Sequence, residues 1–137
     1  MDDLTVKLTD GALTRDLFPQ DYDCLPTDIT NESRPLKFMA VESIKDRRFS
    51  TASDVWSYGV VLWELMSRCL QPYSDIGPEN LVTHLENDHR LIQPTNCPDT
   101  LYKLMSMCWT TSIDHRPSMN TLLRLLMDFY GQLARFI

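Results

Sequence analysis

Apolar side chains recur at helical spacing over most of the second half of the chain. The longest such stretch follows Ser50-Thr51-Ala52-Ser53-Asp54, where hydroxyl and carboxylate groups suit a helix N-terminus, and Thr51 and Asp54 stand at capping-box spacing. We expect a helix from this cap to about Ser67. Its apolar residues wrap most of the circumference, which predicts a central helix buried on nearly all sides. These residues are Val55, Trp56, Val60, Val61, Leu62, Trp63, Leu65 and Met66.

Three further helices are predicted from the same periodicity. Gly77-Pro78 begins one that runs to about Asp88, with proline in the first turn, where its missing N–H costs nothing. Pro98-Asp99 begins another, and Ser118 caps the last. The second of these carries its apolar residues on one face, namely Leu101, Leu104, Met105 and Cys108. The last has a similar face made of Leu122, Leu125, Leu126, Phe129 and Leu133.

The first third of the chain has a different character. Thr5 to Thr9 alternates between apolar and polar residues and ends at Asp10-Gly11, which predicts one short strand. From Asp16 to Leu36 the sequence is polar, contains three prolines and shows no period, so we expect a long surface loop. The pattern as a whole predicts a small, mainly α domain with one N-terminal strand and one long loop.

Composition narrows the classes of function. The chain has 137 residues, 43% of them hydrophobic, which is enough for one buried core. Its formal net charge of -6 argues against nucleic acid and anionic membrane surfaces as partners, because both attract clustered Lys and Arg. The four cysteines lack C-x-x-C spacing, so free thiols in a reducing compartment fit best.

Neither a histidine metal site nor a membrane segment is predicted. His84 and His89 are five residues apart and should not share a helix face, which argues against joint metal ligation. The longest apolar stretch, Tyr58 to Met66, falls well short of the ~20 residues that cross a bilayer. The acidic start Met1-Asp2-Asp3 is not followed by the apolar region of a signal peptide. We therefore expect a soluble chain.

Four motifs, in order, resemble those of protein tyrosine kinases. Residues 6–16 resemble the strand, the D-F-G metal-binding motif and the start of the activation loop. Residues 35–42 resemble the signature that closes the activation segment, and residues 53–60 resemble the start of the kinase central helix. Cys108-Trp109 and Arg116-Pro117 resemble the last conserved block of the family. One such motif alone would be weak, but four at the right spacing give a specific resemblance.

The resemblance implies that residues 1–137 are a partial protein-tyrosine-kinase-like domain. This part is the C-terminal lobe from the D-F-G-equivalent motif onward, and residues 10–42 are its activation segment. Residues 15–22 and 93–99 are similar to the Ryk/Derailed group of atypical Wnt-receptor tyrosine kinases. That group implies the cytoplasmic portion of a single-pass plasma-membrane receptor, or a soluble cytoplasmic protein for this fragment alone. The implied partners are the rest of the kinase-like domain, Wnt-pathway proteins and cytoplasmic signalling proteins.

Little of the chemistry of phosphoryl transfer is present. A kinase needs a Gly-rich loop, a Lys paired with a helix Glu, a catalytic Asp, and metal ligands from an Asn and the D-F-G Asp. Only the D-F-G Asp has a counterpart here, which is Asp10. Its family position implies a vestigial Mg²⁺-ATP site. The alternative is that an Asp before a Gly at a strand end simply forms a turn. Gly11 replaces the Phe that packs between the lobes, and Ala12 replaces a Gly. We expect no activity and no cofactor for this chain alone, and Mg-ATP only in the complete domain.

Tyr22 stands where receptor tyrosine kinases carry an activation-loop phosphorylation site. A phosphate there would add about -1.5 to -2 charge and could dock on Arg15 or Arg34. Asp21 and Asp23 would repel it, yet they could also serve as acidic flanks for recognition by another tyrosine kinase. A regulatory role and that of an ordinary exposed loop tyrosine both stay open.

Three residues receive structural roles from the resemblance. Glu42 and Arg116 match the buried ion pair that ties the activation segment to the lower helices, and breaking such a pair from one side costs roughly 3–5 kcal/mol. Asp54 matches the residue that accepts hydrogen bonds from the catalytic-loop backbone, although an Asp there also favours any helix N-terminus. Phe38 and Val41 replace the family's Trp and Pro in the segment that shapes the substrate platform.

Two functions follow from these features, with a structural alternative. The first is a protein-interaction module, the lower lobe of a receptor pseudokinase. The second is a fragment of an active receptor tyrosine kinase that phosphorylates protein tyrosines with ATP. The third is a self-sufficient helical domain, against which the apolar central helix argues, because its expected covering elements are upstream. We therefore also expect the isolated chain to expose apolar surface and to associate.

Overall fold

The computed structural model describes residues 6–7 and 35–136. In these ranges the chain is helical, which confirms the mainly α fold. The helices are α1 (Val41–Asp46), α2 (Thr51–Met66), α3 (Pro78–Glu86), α4 (Asp99–Cys108) and α5 (Met119–Ala134). Two 3-10 turns, Leu36–Phe38 and Ile113–His115, precede α1 and α5. Helix α1 was not predicted, and it begins inside the stretch that the resemblance assigns to the activation segment.

The N-terminus of α2 lies one residue earlier than the predicted cap. Ser50 is the N-cap, and its Oγ accepts a hydrogen bond from the backbone N–H of Ser53 at 3.3 Å. The Oγ of Ser53 accepts in return from the backbone N–H of Ser50 at 2.7 Å. The capping box is therefore Ser50–Ser53, and the pairing of Thr51 with Asp54 was wrong because Thr51 is already the first helical residue.

Helix α2 is the central element, but the prediction of burial on nearly all sides was wrong for the described part of the chain. One face is buried, and it consists of Ser53, Val55, Trp56, Gly59, Val60 and Trp63. The opposite side leaves Val61 40% exposed and Leu65 65% exposed. Apolar residues around a helix show that its surface suits burial, but they do not supply the elements that cover it.

The other helices pack around the buried face of α2. Helix α4 packs along α2, α5 packs on α4, and α1 packs on α3. At Gly59 an added Cβ would lie 2.7 Å from the Cβ of Cys108, so the close approach of α2 and α4 requires glycine there. The predicted face of α4 is buried at all four positions. On α5 the Ser118 cap is confirmed, but Leu133 at the far end of the predicted face is 45% exposed.

Two further findings differ from what the sequence led us to expect. Val6 and Lys7 are the described residues of the predicted Thr5–Thr9 strand, and neither is in a strand. His84 and His89, which were not expected to share a face, stack with ring centroids 4.8 Å apart. The rings meet because α3 ends at Glu86, so His89 lies beyond the helix and does not follow its spacing. In the part of the chain with described coordinates, no helix has the length and apolar content needed to cross a membrane.

Candidate functional site

The predicted residues of phosphoryl-transfer chemistry lie outside the described ranges. These are Asp10, Gly11, Ala12 and the candidate phosphorylation site Tyr22, and their roles stay predictions. Asp54 is described, and it lies exposed in the first turn of α2. Its carboxylate is not the cap and makes no hydrogen bond to another described residue, so its predicted contact with a catalytic-loop backbone also stays a prediction.

Glu42 and Arg116 form the centre of the site that the structure does describe. Glu42 lies in the first turn of α1, where a carboxylate is favourable beside the helix N-terminus. The guanidinium of Arg116 donates from Nη1 to Oε1 of Glu42 at 2.6 Å and from Nη2 to Oε2 at 2.7 Å. The two side chains are 8% and 0% exposed. The ion pair inferred from the resemblance is therefore present, buried and bidentate.

The remaining donors of Arg116 bind backbone carbonyls from two other elements. Its Nε donates to the carbonyl of Thr110 at 2.7 Å, and Nη1 also donates to that of Ala52 at 3.1 Å. Nη2 reaches the carbonyl of Thr111 at 3.4 Å. A guanidinium has five N–H donors, so all of them are engaged. One side chain thus joins α1, the start of α2 and the loop after α4.

A second guanidinium, which the sequence did not indicate, lies beside this pair. Arg90 and Arg116 each lie 5.0 Å from the ring centroid of Trp56 on α2. Arg90 donates from Nε to the carbonyl of Trp109 at 2.9 Å and from Nη1 to that of Leu85 at 2.8 Å. The only sequence signal for this role is a cation just past the end of α3, where basic side chains can bind the last carbonyls.

The arrangement positions segments and does not supply reactive groups. The carboxylate of Glu42 is held by two charge-assisted hydrogen bonds, and the guanidinium of Arg116 has no unused donor. Burial raises the pKa of the nearby Cys108 thiol to about 12, which disfavours a thiolate nucleophile. No three His, Cys, Asp or Glu side chains among the described residues lie where they could hold a metal ion. The site therefore anchors the segment from Leu36 to Asp46 on the helical lobe.

Comparison with known families agrees with this geometry. The model of the family described as protein tyrosine and serine/threonine kinase matches residues 1–126. The chain therefore belongs to the protein tyrosine and serine/threonine kinase family, and its fold is that of a C-terminal-lobe fragment of the kinase domain.

Within that family the chain is similar to the RYK and Dnt proteins. It is 46% identical over 136 residues to tyrosine-protein kinase RYK of Homo sapiens, with 99% of this chain and 22% of the relative covered. It is 43% identical over 136 residues to tyrosine-protein kinase Dnt of Drosophila melanogaster, with 99% and 23% covered. A Caenorhabditis elegans protein named inactive tyrosine-protein kinase RYK is 48% identical over 134 residues, with 98% and 22% covered. The chain thus spans less than a quarter of the length of these relatives.

Proposed function

We propose that this chain acts as a protein-interaction module, the C-terminal lobe of a Ryk/Derailed-like receptor pseudokinase in Wnt-linked transmembrane signalling. One contrast carries the proposal. The lobe keeps the buried Glu42–Arg116 pair that holds its architecture together, whereas the metal-binding motif has Gly11 and Ala12 where Phe and Gly are expected. The word "inactive" in the name of the C. elegans relative supports the same interpretation.

The first partner that we propose is the remainder of the kinase-like domain. Val61 and Leu65 on the open side of α2 are apolar and exposed, and Tyr58 and Leu62 beside them are only partly buried. Exposed apolar residues grouped on one side of a central helix suit contact with another protein element. We place the parent at the plasma membrane as a single-pass receptor, with this lobe in the cytoplasm and cytoplasmic Wnt-pathway proteins as further partners.

The proposal is tested on the complete kinase-like domain, with its upstream lobe. Phosphorylation of a tyrosine peptide and Mg²⁺-dependent nucleotide binding are measured for the natural domain and for an Asp10→Ala variant. Asp10 is the residue that would hold Mg²⁺ in this lobe, so the variant removes metal-dependent catalysis. We expect no turnover above that of the variant. Turnover that disappears in the variant would overturn the pseudokinase proposal.

The alternative function is that of a fragment of an active receptor protein tyrosine kinase. Its support is Asp10, which keeps the carboxylate of the metal-binding motif, and the names of the human and fly relatives, which are tyrosine-protein kinases. In that case Tyr22 is a substrate of the complete domain. Mass spectrometry of the incubated domain distinguishes the two functions, because only the alternative predicts ATP-dependent phosphate on Tyr22 that is lost in Asp10→Ala.

A further inference from the structure

A groove lies between the C-terminal end of α2 and the stretch from Ile92 to Asn96, away from the Glu42–Arg116 pair. Its volume is about 310 Å³, at the lower end of the range for ligand sites. The exposed lining surface is more apolar than polar, although half of the lining residues are polar, Arg68 among them. The apolar lining residues are Trp63, Met66, Leu70, Ile92 and Pro94.

The far wall of the groove is held in place by side-chain hydrogen bonds. The indole Nε1 of Trp63 donates to the carbonyl of Ile92 at 2.7 Å, and the hydroxyl of Tyr102 donates to the carbonyl of Leu91 at 2.7 Å. These bonds fix the backbone while the side chain of Ile92 points to solvent at 80% exposure. Leu70 on the other side is 60% exposed. The groove is therefore formed in advance, with apolar side chains on both edges.

Arg68 occupies a backbone position that favours glycine. The N–H of Cys69 bonds to the carbonyl of Glu64 at 2.8 Å, and the N–H of Arg68 bonds to that of Leu65 at 3.3 Å. These two bonds form a Schellman cap at the end of α2, in which the residue after the C-cap adopts the left-handed conformation. Arg68 has a φ of 59°. A long cation thus stands where a glycine would be less strained.

The guanidinium of Arg68 is available for a ligand. The residue is exposed, and its side chain makes no hydrogen bond or ion pair with any residue in the described ranges. A carboxylate beside an apolar side chain would match both the free cation and the apolar walls of the groove. Because the whole chain carries a net charge of -6, a long acidic tract would be repelled, so a single carboxylate fits best.

We propose that this groove binds a short extended segment of a partner protein in which an aliphatic residue adjoins one acidic residue. The aliphatic side chain lies against Trp63 and Met66, between Leu70 and Ile92, and the acidic side chain binds Arg68. This inference rests on the proposed function as an interaction module and names the chemistry of one class of partner.

The test uses the complete kinase-like domain, which contains these 137 residues, and a fluorescein-labelled peptide, Gly-Ser-Leu-Glu-Ser-Gly. Binding is followed by fluorescence anisotropy at low salt. Arg68→Glu should weaken binding about tenfold, since it replaces an attraction by a repulsion. Arg68→Gly should weaken binding while raising the urea midpoint of unfolding, because it relieves the left-handed strain. Ile92→Ser should weaken binding without a change in stability, since the residue is exposed. Arg124→Glu, an exposed charge reversal on α5, is the matched control and should bind as the natural chain does.

Three results would overturn the inference. One is the absence of measurable binding by the natural chain at peptide concentrations up to solubility. Another is equal binding of a peptide with Gln in place of Glu. The third is binding that survives Arg68→Gly but is lost on Val61→Ser/Leu65→Ser, which would place the peptide on the open side of α2. None of these results bears on catalysis by the complete domain, so the proposed function is tested separately by the Asp10→Ala comparison.

Discussion

Replacing Glu42 by Gln isolates the charge of the buried pair while keeping its shape. In the natural chain the carboxylate receives two hydrogen bonds from Arg116, whose side chain is 0% exposed. The Gln side chain keeps one carbonyl oxygen that can accept, but its NH₂ group faces a guanidinium that can only donate. The positive charge of Arg116 then stays buried without a negative partner. Removing one partner of a buried ion pair in this way destabilises a protein by about 3–5 kcal/mol.

That loss should be measurable without complete unfolding. A folded protein typically has a free energy of unfolding of about 5–15 kcal/mol, so a loss of this size leaves most of that range folded. With a urea dependence near 2 kcal/mol per molar, the variant's midpoint should fall by about 2 M. Tryptophan fluorescence at low micromolar protein follows the transition, and Trp56 reports on the site directly because Arg116 lies 5.0 Å from its ring.

Glu86→Gln is the matched control. Glu86 pairs with Lys45 at 2.6 Å, the same separation as the shortest contact in the buried pair, but these side chains are 44% and 55% exposed. An exposed pair contributes little, so this variant should leave the midpoint nearly unchanged. Equal midpoints for the two variants would refute the reasoning, since burial would then make no difference. The double variant Glu42→Leu/Arg116→Met should recover only part of the loss, because it removes the uncompensated charge but leaves the carbonyls of Ala52, Thr110 and Thr111 without their donor.

Three further outcomes are expected. Gly59→Ala should destabilise the chain by about 1–3 kcal/mol, because the added Cβ would lie 2.7 Å from the Cβ of Cys108. Gly131→Ala has open space around it and should stabilise the chain by about 0.5–1 kcal/mol. Urea unfolding of both variants measures these changes. Burial lowers the pKa of His84 from its ordinary 6.5, so the folded chain binds fewer protons than the unfolded chain, and stability should fall as the pH drops below 6.5. A His84→Asn variant should lose part of this dependence of stability on pH. If its free energy of unfolding varies with pH as that of the natural chain does, the role assigned to His84 is wrong. The Cys108 thiol, with a pKa of about 12, should resist a disulfide reagent at pH 8 until urea unfolds the chain. Peptide mapping must locate the label, because Cys69 is exposed, and rapid labelling at Cys108 in the folded chain would argue against its burial.

The elements that the sequence predicted well are those with local signals. The proline in the first turn of α3 and the serine before α5 mark helix starts wherever the rest of the chain lies, and both were found where expected. Helix α1 has no such signal. It is six residues long, and its N-cap Ala40 makes no side-chain hydrogen bond. It is held by its packing on α3 and by the contact of Glu42 with a residue 74 positions away, and no local pattern can indicate either contact.

The candidate site was predictable only in part for a related reason. Glu42 and Arg116 came from the resemblance to kinases, since nothing in their spacing links them. The cation–π contacts of Trp56 with Arg90 and Arg116 depend on how three segments come together, so periodicity along the chain could not reveal them. The open side of α2 was also misjudged, because an apolar residue such as Leu65 has the same appearance in a sequence whether or not another element covers it.

The 74-residue separation of Glu42 from Arg116 also matters while the protein is being made. At about 5–20 residues per second, the ribosome needs roughly 4–15 s to add the intervening stretch. Throughout that interval Glu42 lacks its buried partner, and α1 can be held only by its packing on α3 and by the exposed Lys45–Glu86 pair, once those residues have been made. The segment from Leu36 to Asp46 is therefore among the earliest described parts to be synthesised, but its buried ion pair is among the last contacts to be completed.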